Sequence, residues 1–159
     1  RRNRGDVTID CVGSSGFKHW AYDAADLAAS VARAAAQLDG TAANIIWLAL
    51  GRNDSLLNLW NGDLTAFGST VAAYYDALYA ACGSKPGFHI YAQTALVATA
   101  EGTIADYRTA QQNAATGRAW VTHIDGTSIS PARAADGLHL SAAGHVTVES
   151  TLVRPTLGY

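Results

Sequence analysis

The residues whose types and spacing could do chemistry lie near the C-terminus, in Asp136-Gly137-Leu138-His139-Leu140-Ser141-Ala142-Ala143-Gly144-His145. An acid three residues before a histidine can, in a tight turn, accept a hydrogen bond from one ring nitrogen and leave the other as a base. Ser141 is a good helix N-cap, and the small residues after it predict a close-packed helix that pins the loop. Alone, Asp-x-x-His is also a common polar turn, so a catalytic reading needs other loops to converge on it.

Two further loops can do so. Ile45-Ile46-Trp47-Leu48-Ala49-Leu50 is continuously apolar, as a strand covered on both faces would be, and ends in Gly51-Arg52-Asn53-Asp54. Val7-Thr8-Ile9-Asp10-Cys11-Val12 reads as an earlier strand that runs into Gly13-Ser14-Ser15-Gly16, where glycines let backbone N–H groups come close to a ligand.

The elements that must position these loops alternate. After the first loop, Leu27, Val31, Ala34 or Ala35 and Leu38 fall on one helical face, with Asp23 as cap and Gly40 as stop. A second helix over 64–81 turns Leu64, Phe67, Val71, Tyr74 or Tyr75 and Leu78 inward and stops at Gly83 before Pro86. Strand 88–92, a weaker helix over 103–116 ending at Gly117, and a last strand over 119–124 complete the pattern. Alternation of this kind implies parallel strands joined by right-handed helical crossovers, a doubly wound α/β layer fold. Ligands in such folds bind beyond the carboxyl ends of the strands, so all three polar loops should gather at one edge.

Composition narrows the partner. The 159 residues suit a single domain, 1–159, with a real core. Only 15% are charged, the net charge is −2 and the pI is near 6.2, which argues against a nucleic-acid surface or a polybasic membrane patch and for a small-molecule partner. The longest apolar run is too short to span a bilayer. No signal-like segment opens the chain, and secretion is neither shown nor excluded, with an extracellular bacterial setting favoured over a cytoplasmic one. Cys11 and Cys82 could pair or stay free, and Cys11 in a buried strand would be an inert thiol. No His/Cys cluster has metal-ligand spacing, and no metal or organic cofactor is expected.

With these residues in place, the chain resembles the SGNH hydrolases, or GDSL-type esterases, over nearly its whole length. Gly51-Arg52-Asn53-Asp54 is similar to that family's Gly-x-Asn-Asp block, and Asp136-Gly137-Leu138-His139 with the following Ala-Ala-Gly-His is similar to its last block. Gly16, closing the Gly-Ser-Ser-Gly turn, resembles the glycine of its second block. The resemblance implies a flavodoxin-like three-layer α/β/α fold and a serine esterase acting on carboxylic esters, acyl or acetyl groups on lipid, sugar or small-molecule alcohols. It implies His139 as base, Asp136 as its orienter, and the Asn53 amide and Gly16 N–H as oxyanion donors.

One block is missing. The family's Gly-Asp-Ser nucleophile has no counterpart, since Gly5-Asp6-Val7-Thr8 carries Val7 where the serine should stand. Only seven residues lie between Asp6 and Ser14, too few for the helix and strand that should separate the first two blocks. The chain thus reads as the fold beginning at its second strand, an N-terminally incomplete portion of the domain. In the family's sheet order, 2-1-3-4-5, the absent strand is internal. The expectation is an extra strand contributed by residues preceding Arg1, ending in a serine about 3 Å from His139. Less favoured are a catalytically inert descendant and a nucleophile moved to Ser14 or Ser15, which as turn residues would satisfy local backbone groups.

Other residues have simpler expected roles. His89 and His123 read as strand residues with local partners, His145 as a helix residue, and His19 with Trp20 as a surface pair or a cleft lining. Asp54 reads as a turn or helix-cap residue, and Trp60 and Phe67 as core. A rival class is a non-catalytic module that binds an acylated sugar or lipid. A flavodoxin-like phosphate binder is weaker, because the Gly13–Gly16 turn lacks the Walker lysine.

Overall fold

The computed structural model describes residues 16–40, 43–96, 103–137 and 139–158. The expected strand at 7–12, with Cys11, and the loop residues Gly13, Ser14 and Ser15 lie outside these residues.

Three parallel strands form the sheet: β1 (Ile45–Leu48), β2 (His89–Gln93) and β3 (Val121–Ile124), in spatial order β1-β2-β3. In register, Trp47 lies beside Tyr91 and Tyr91 beside Thr122. Helix α4 (Leu64–Cys82) carries the chain from β1 to β2, and α5 (Ile104–Ala115) from β2 to β3. The chain is therefore α/β, with helices between parallel strands, as the alternation predicts.

Local chemistry explains the helix boundaries. Helix α2 (Ala24–Gln37) starts where the Asp23 carboxylate accepts from the Ala25 and Asp26 amides at 2.8 and 2.9 Å. Asp63 caps α4 through the Ala66 amide at 2.9 Å. Along α4, Phe67, Val71, Tyr74, Tyr75, Leu78 and Cys82 are buried, one face of a 3.6-residue repeat. All of these but Cys82 meet Phe17, Leu48, Trp60, Ile90, Ala92, Tyr107 and Val121 in one core between the helices and one face of the sheet. Fully burying each large apolar side chain contributes roughly 1.5–3 kcal/mol before chain entropy is counted. Helix α1 (Phe17–Ala21) packs on α2 and α4.

The other face of the sheet departs from expectation. The apolar run 45–50 predicts cover on both sides, yet Ile45 is 39% exposed and the strand ends at Leu48. Side chains alternate along a strand, so Ile45 and Trp47 point away from the helix-packed core. Trp47 is stabilised there by its neighbours: it stacks on Tyr91 with ring centroids 5.9 Å apart and donates from Nε1 to Gln93 Oε1 at 3.0 Å.

After β3 the chain crosses a 3-10 turn, Gly126–Ser128, and enters α6 (Ala142–Val148). A π-helical turn, Glu149–Val153, joins it to α7 (Arg154–Leu157). Pro155 explains the wide turn, because a proline ring crowds the carbonyl four residues back and has no N–H to donate. Among the described residues, no helix is long and apolar enough to cross a membrane.

Candidate functional site

The Asp136–His139 turn is held from outside by its own flanks. Arg133 and Leu140 form an isolated antiparallel bridge, the Ala134 amide donates to the His139 carbonyl at 2.8 Å, and the Ser141 amide donates to the Ala132 carbonyl at 3.1 Å. Gly137, at φ 67°, takes the left-handed conformation that lets the chain double back. Ser141 then caps α6 by accepting from the Gly144 amide at 3.1 Å. Gly144 sits so close to this strap that a Cβ would lie 2.0 Å from the Ala132 carbonyl oxygen.

Inside the turn, Asp136 uses both carboxylate oxygens on His139. One accepts from the backbone amide at 3.0 Å, and the other meets ring Nδ1 at 2.6 Å. With the proton on Nδ1, the second ring nitrogen, Nε2, carries a lone pair. The His139 side chain is 83% exposed and that of Asp136 47%, so the pair faces solvent.

The second node follows β1. Gly51 turns the strand into α3 (Arg52–Leu56) at φ 102°, where a side chain would be strained and a Cβ would meet Gln111 Oε1 at 2.8 Å. Asn53 and Asp54 sit side by side in α3. The fully buried Asp54 carboxylate accepts from the Phe17 amide at 2.8 Å, the Lys18 amide at 3.1 Å and Trp60 Nε1 at 2.7 Å. It thus caps α1 from 37 residues away. Gly16, the residue before α1, is so near that a Cβ on it would lie 2.2 Å from Asp54 Oδ2. The Gly16 N–H donates to His19 Nδ1 at 3.3 Å, a long bond that a charged acceptor could displace.

Cations border this node. Lys18 Nζ donates to the Leu59 carbonyl at 2.6 Å and lies 4.5 Å from the Tyr22 ring centroid and 5.2 Å from that of Trp60. Arg52 Nη1 is buried and has no hydrogen-bond partner among the described residues. Sequence reasoning passed over both. The available signal was position, since Lys18 follows Gly16 by two residues and Arg52 precedes Asn53.

Because β1 and β3 run parallel in one sheet, the loops leaving their carboxyl ends emerge at the same edge. One strand lies between them, so the strand ends are about 10 Å apart. The structure joins Asp136 to His139 and Gly16 to the residue beside Asn53. Among the described residues, His139 hydrogen-bonds to Asp136 and Ala134, within its own turn. Ser14 and Ser15 lie outside the described residues.

The remaining histidines have local roles. His89 Nε2 and Thr122 Oγ1 are 2.8 Å apart, and His89 packs 4.8 Å from the Tyr91 ring. Burial lowers the pKa of His89, and burial lowers that of His123 against the opposing charge of Asp125. His145 is exposed on α6. His19 and Trp20 are not a surface pair: Trp20 is 8% exposed under Arg33, while His19 turns out to meet Gly16. Trp60 and Phe67 are core residues in edge-to-face contact, 5.9 Å between centroids. Among the described residues, no three His, Cys, Asp or Glu side chains gather as a metal site.

Compared with family models, curated proteins and solved structures, the chain matches none.

Proposed function

We propose that this chain is a serine ester hydrolase domain of the SGNH type, with a flavodoxin-like sheet in which β1, β2 and β3 are the last three strands. The observation that carries the reading is the Asp136–His139 pair, in which both carboxylate oxygens engage the histidine and fix its ring. A carboxylate on Nδ1 orients the imidazole and stabilises it once protonated. In the reaction, Nε2 takes the proton of a serine hydroxyl as its oxygen bonds to the ester carbonyl carbon. The resulting oxyanion is held by the Asn53 amide and the Gly16 N–H. Collapse breaks the bond to the alcohol, which leaves with the proton from Nε2, and water repeats the sequence to release the acid. Substrates would be carboxylic esters of small alcohols, sugars or lipids.

The serine would come from Ser14 or Ser15 or from a segment preceding Arg1. The test is p-nitrophenyl acetate hydrolysis by the chain, by its Ser14→Ala and Ser15→Ala variants, and by a version extended upstream of Arg1. Activity that His139→Ala abolishes supports the reading, and the variant or extension that controls it identifies the nucleophile. Inactivity of both lengths overturns it in favour of a non-catalytic module binding an acylated sugar or lipid.

A further inference from the structure

Asp54 has a part in the fold that its local sequence does not announce. A carboxylate with 0% exposure needs partners for its charge, and this one has three N–H donors drawn from two separate segments. Two of the donors, the Phe17 and Lys18 amides, immediately follow Gly16; the third, Trp60, follows α3. The carboxylate also belongs to the residue next to Asn53. Any movement of Gly16 relative to Asn53 must therefore stretch bonds to this one side chain.

The contact is close enough to dictate the residue at position 16. At 2.2 Å from Oδ2 and 2.6 Å from Cγ, an added Cβ would overlap a carboxylate that three hydrogen bonds and full burial prevent from yielding. Gly16 has φ −135°, an ordinary extended value, so left-handed backbone does not explain the glycine. Its reason is the approach of Asp54.

We propose that Asp54 is a positioning residue that sets the distance between the Gly16 N–H and the Asn53 side chain. This rests on the ester-hydrolase reading for what the two donors hold, and on the geometry alone for the tie between them. Misplacing one donor by about 1 Å can lower turnover by as much as about 10²-fold.

The test measures p-nitrophenyl acetate kinetics and thermal unfolding on the active length of chain, for wild type, Asp54→Asn, Asp54→Ala, Gly16→Ala and the Gly16→Ala/Asp54→Ala double variant. Assays are run well below each melting temperature, so every sample is folded. Expected are a fall in kcat of about 10- to 10²-fold for Asp54→Asn with KM within about twofold, and a further fall for Asp54→Ala. A structural role alone would lower the melting temperature and leave kcat of the folded protein unchanged, which would overturn the positioning role. Gly16→Ala should lower the melting temperature by about 4 °C or more, and by less than half as much when Asp54 is already alanine. Additive losses would overturn the tie itself. If the wild type hydrolyses no ester, the catalytic reading fails, while the coupling in melting temperature still decides whether Asp54 fixes Gly16. Should Asp54→Ala not fold, the Asp54→Asn background serves for the same cycle.

Discussion

Two aspartates, Asp54 in the helix that follows β1 and Asp136 in a turn downstream of β3, are used in opposite ways. Asp54 is fully buried and binds three N–H groups spread over more than forty residues of chain. Asp136 is half exposed, and both of its carboxylate oxygens engage His139, three positions away. Removing a buried carboxylate strands its donors in a place water cannot reach, whereas an exposed one is replaced by solvent. The first carboxylate therefore belongs to stability and register, and the second, in the proposed hydrolase, would orient the histidine that transfers the proton. On that reading, keeping these tasks apart leaves the proposed base accessible without weakening the core.

The sharpest break of this comparison is His139→Ala. Ester hydrolysis should fall by about 10²–10⁴-fold, the range for losing a general base, while unfolding free energy changes by less than about 0.5 kcal/mol. Steady-state kinetics beside urea titration would read both. A large stability loss with activity retained would reverse the assignment of the two regions.

Asp54→Ala should show the opposite balance in stability, a loss of about 3–4 kcal/mol, since each stranded buried donor costs roughly 1–3 kcal/mol and the three do not add fully. The urea midpoint measures it, and a loss below about 1 kcal/mol would mean that the carboxylate is not the tie the geometry describes. Next in size, Asp136→Asn should reduce turnover by about 10²-fold, because an amide still occupies the site but does not stabilise the imidazolium. Its melting temperature should stay close to wild type.

How much of this was legible in the sequence differs between the same two regions. The Asp136–His139 contact, the Ser141 cap and the helix after it are local, so spacing alone points to them. Helix α4 was legible for the same reason: Phe67, Val71, Tyr75 and Leu78 keep a helical repeat, and all are buried. The sequence marks Asp54 as a turn or helix-cap residue. It is a cap, but of α1, whose five residues are too few to show a periodic pattern. The apolar run at 45–50 suggested cover on both faces because hydrophobicity reports burial on average, whereas Trp47 is accommodated by a stack and one hydrogen bond. Three parallel strands and their connecting helices followed from alternation; β1 stopped short because Gly51 must be reached in a left-handed turn.

A smaller effect is expected from Ser141→Ala. The hydroxyl accepts from the Gly144 amide and donates to the Ala132 carbonyl at 3.2 Å, so it ties α6 to the strap beneath the His139 turn. Loss of such a cap costs about 1 kcal/mol. If the turn is held mainly by its own bonds, activity should fall less than about tenfold, and a Ser141→Asp variant, which restores a capping acceptor, should recover most of the stability. Failure of the aspartate to do so would shift the role of Ser141 to the Ala132 contact.

The smallest effect concerns pH, and it contrasts the strand histidines with the exposed pair. Burial disfavours the charged imidazole at His89 and His123, so both titrate below their ordinary value of 6.5 in the folded chain. At His123 the nearby Asp125 opposes this, and burial outweighs it. Between the folded and unfolded values the unfolded chain binds more protons, so acid favours unfolding there. The stability these residues contribute is complete above about pH 6.5 and declines as pH falls toward their folded values, levelling off below them. Urea midpoints at about pH 7.5 and 5.5 should therefore drop for the wild type and drop less for His89→Gln, His123→Gln and the double variant. His89→Gln also replaces the ring that meets Thr122 Oγ1, so its midpoint at the higher pH is the reference against which its own acid loss is taken. An acid loss as large in the double variant as in the wild type would show that other groups carry it, and that the strand face is better solvated than its burial implies.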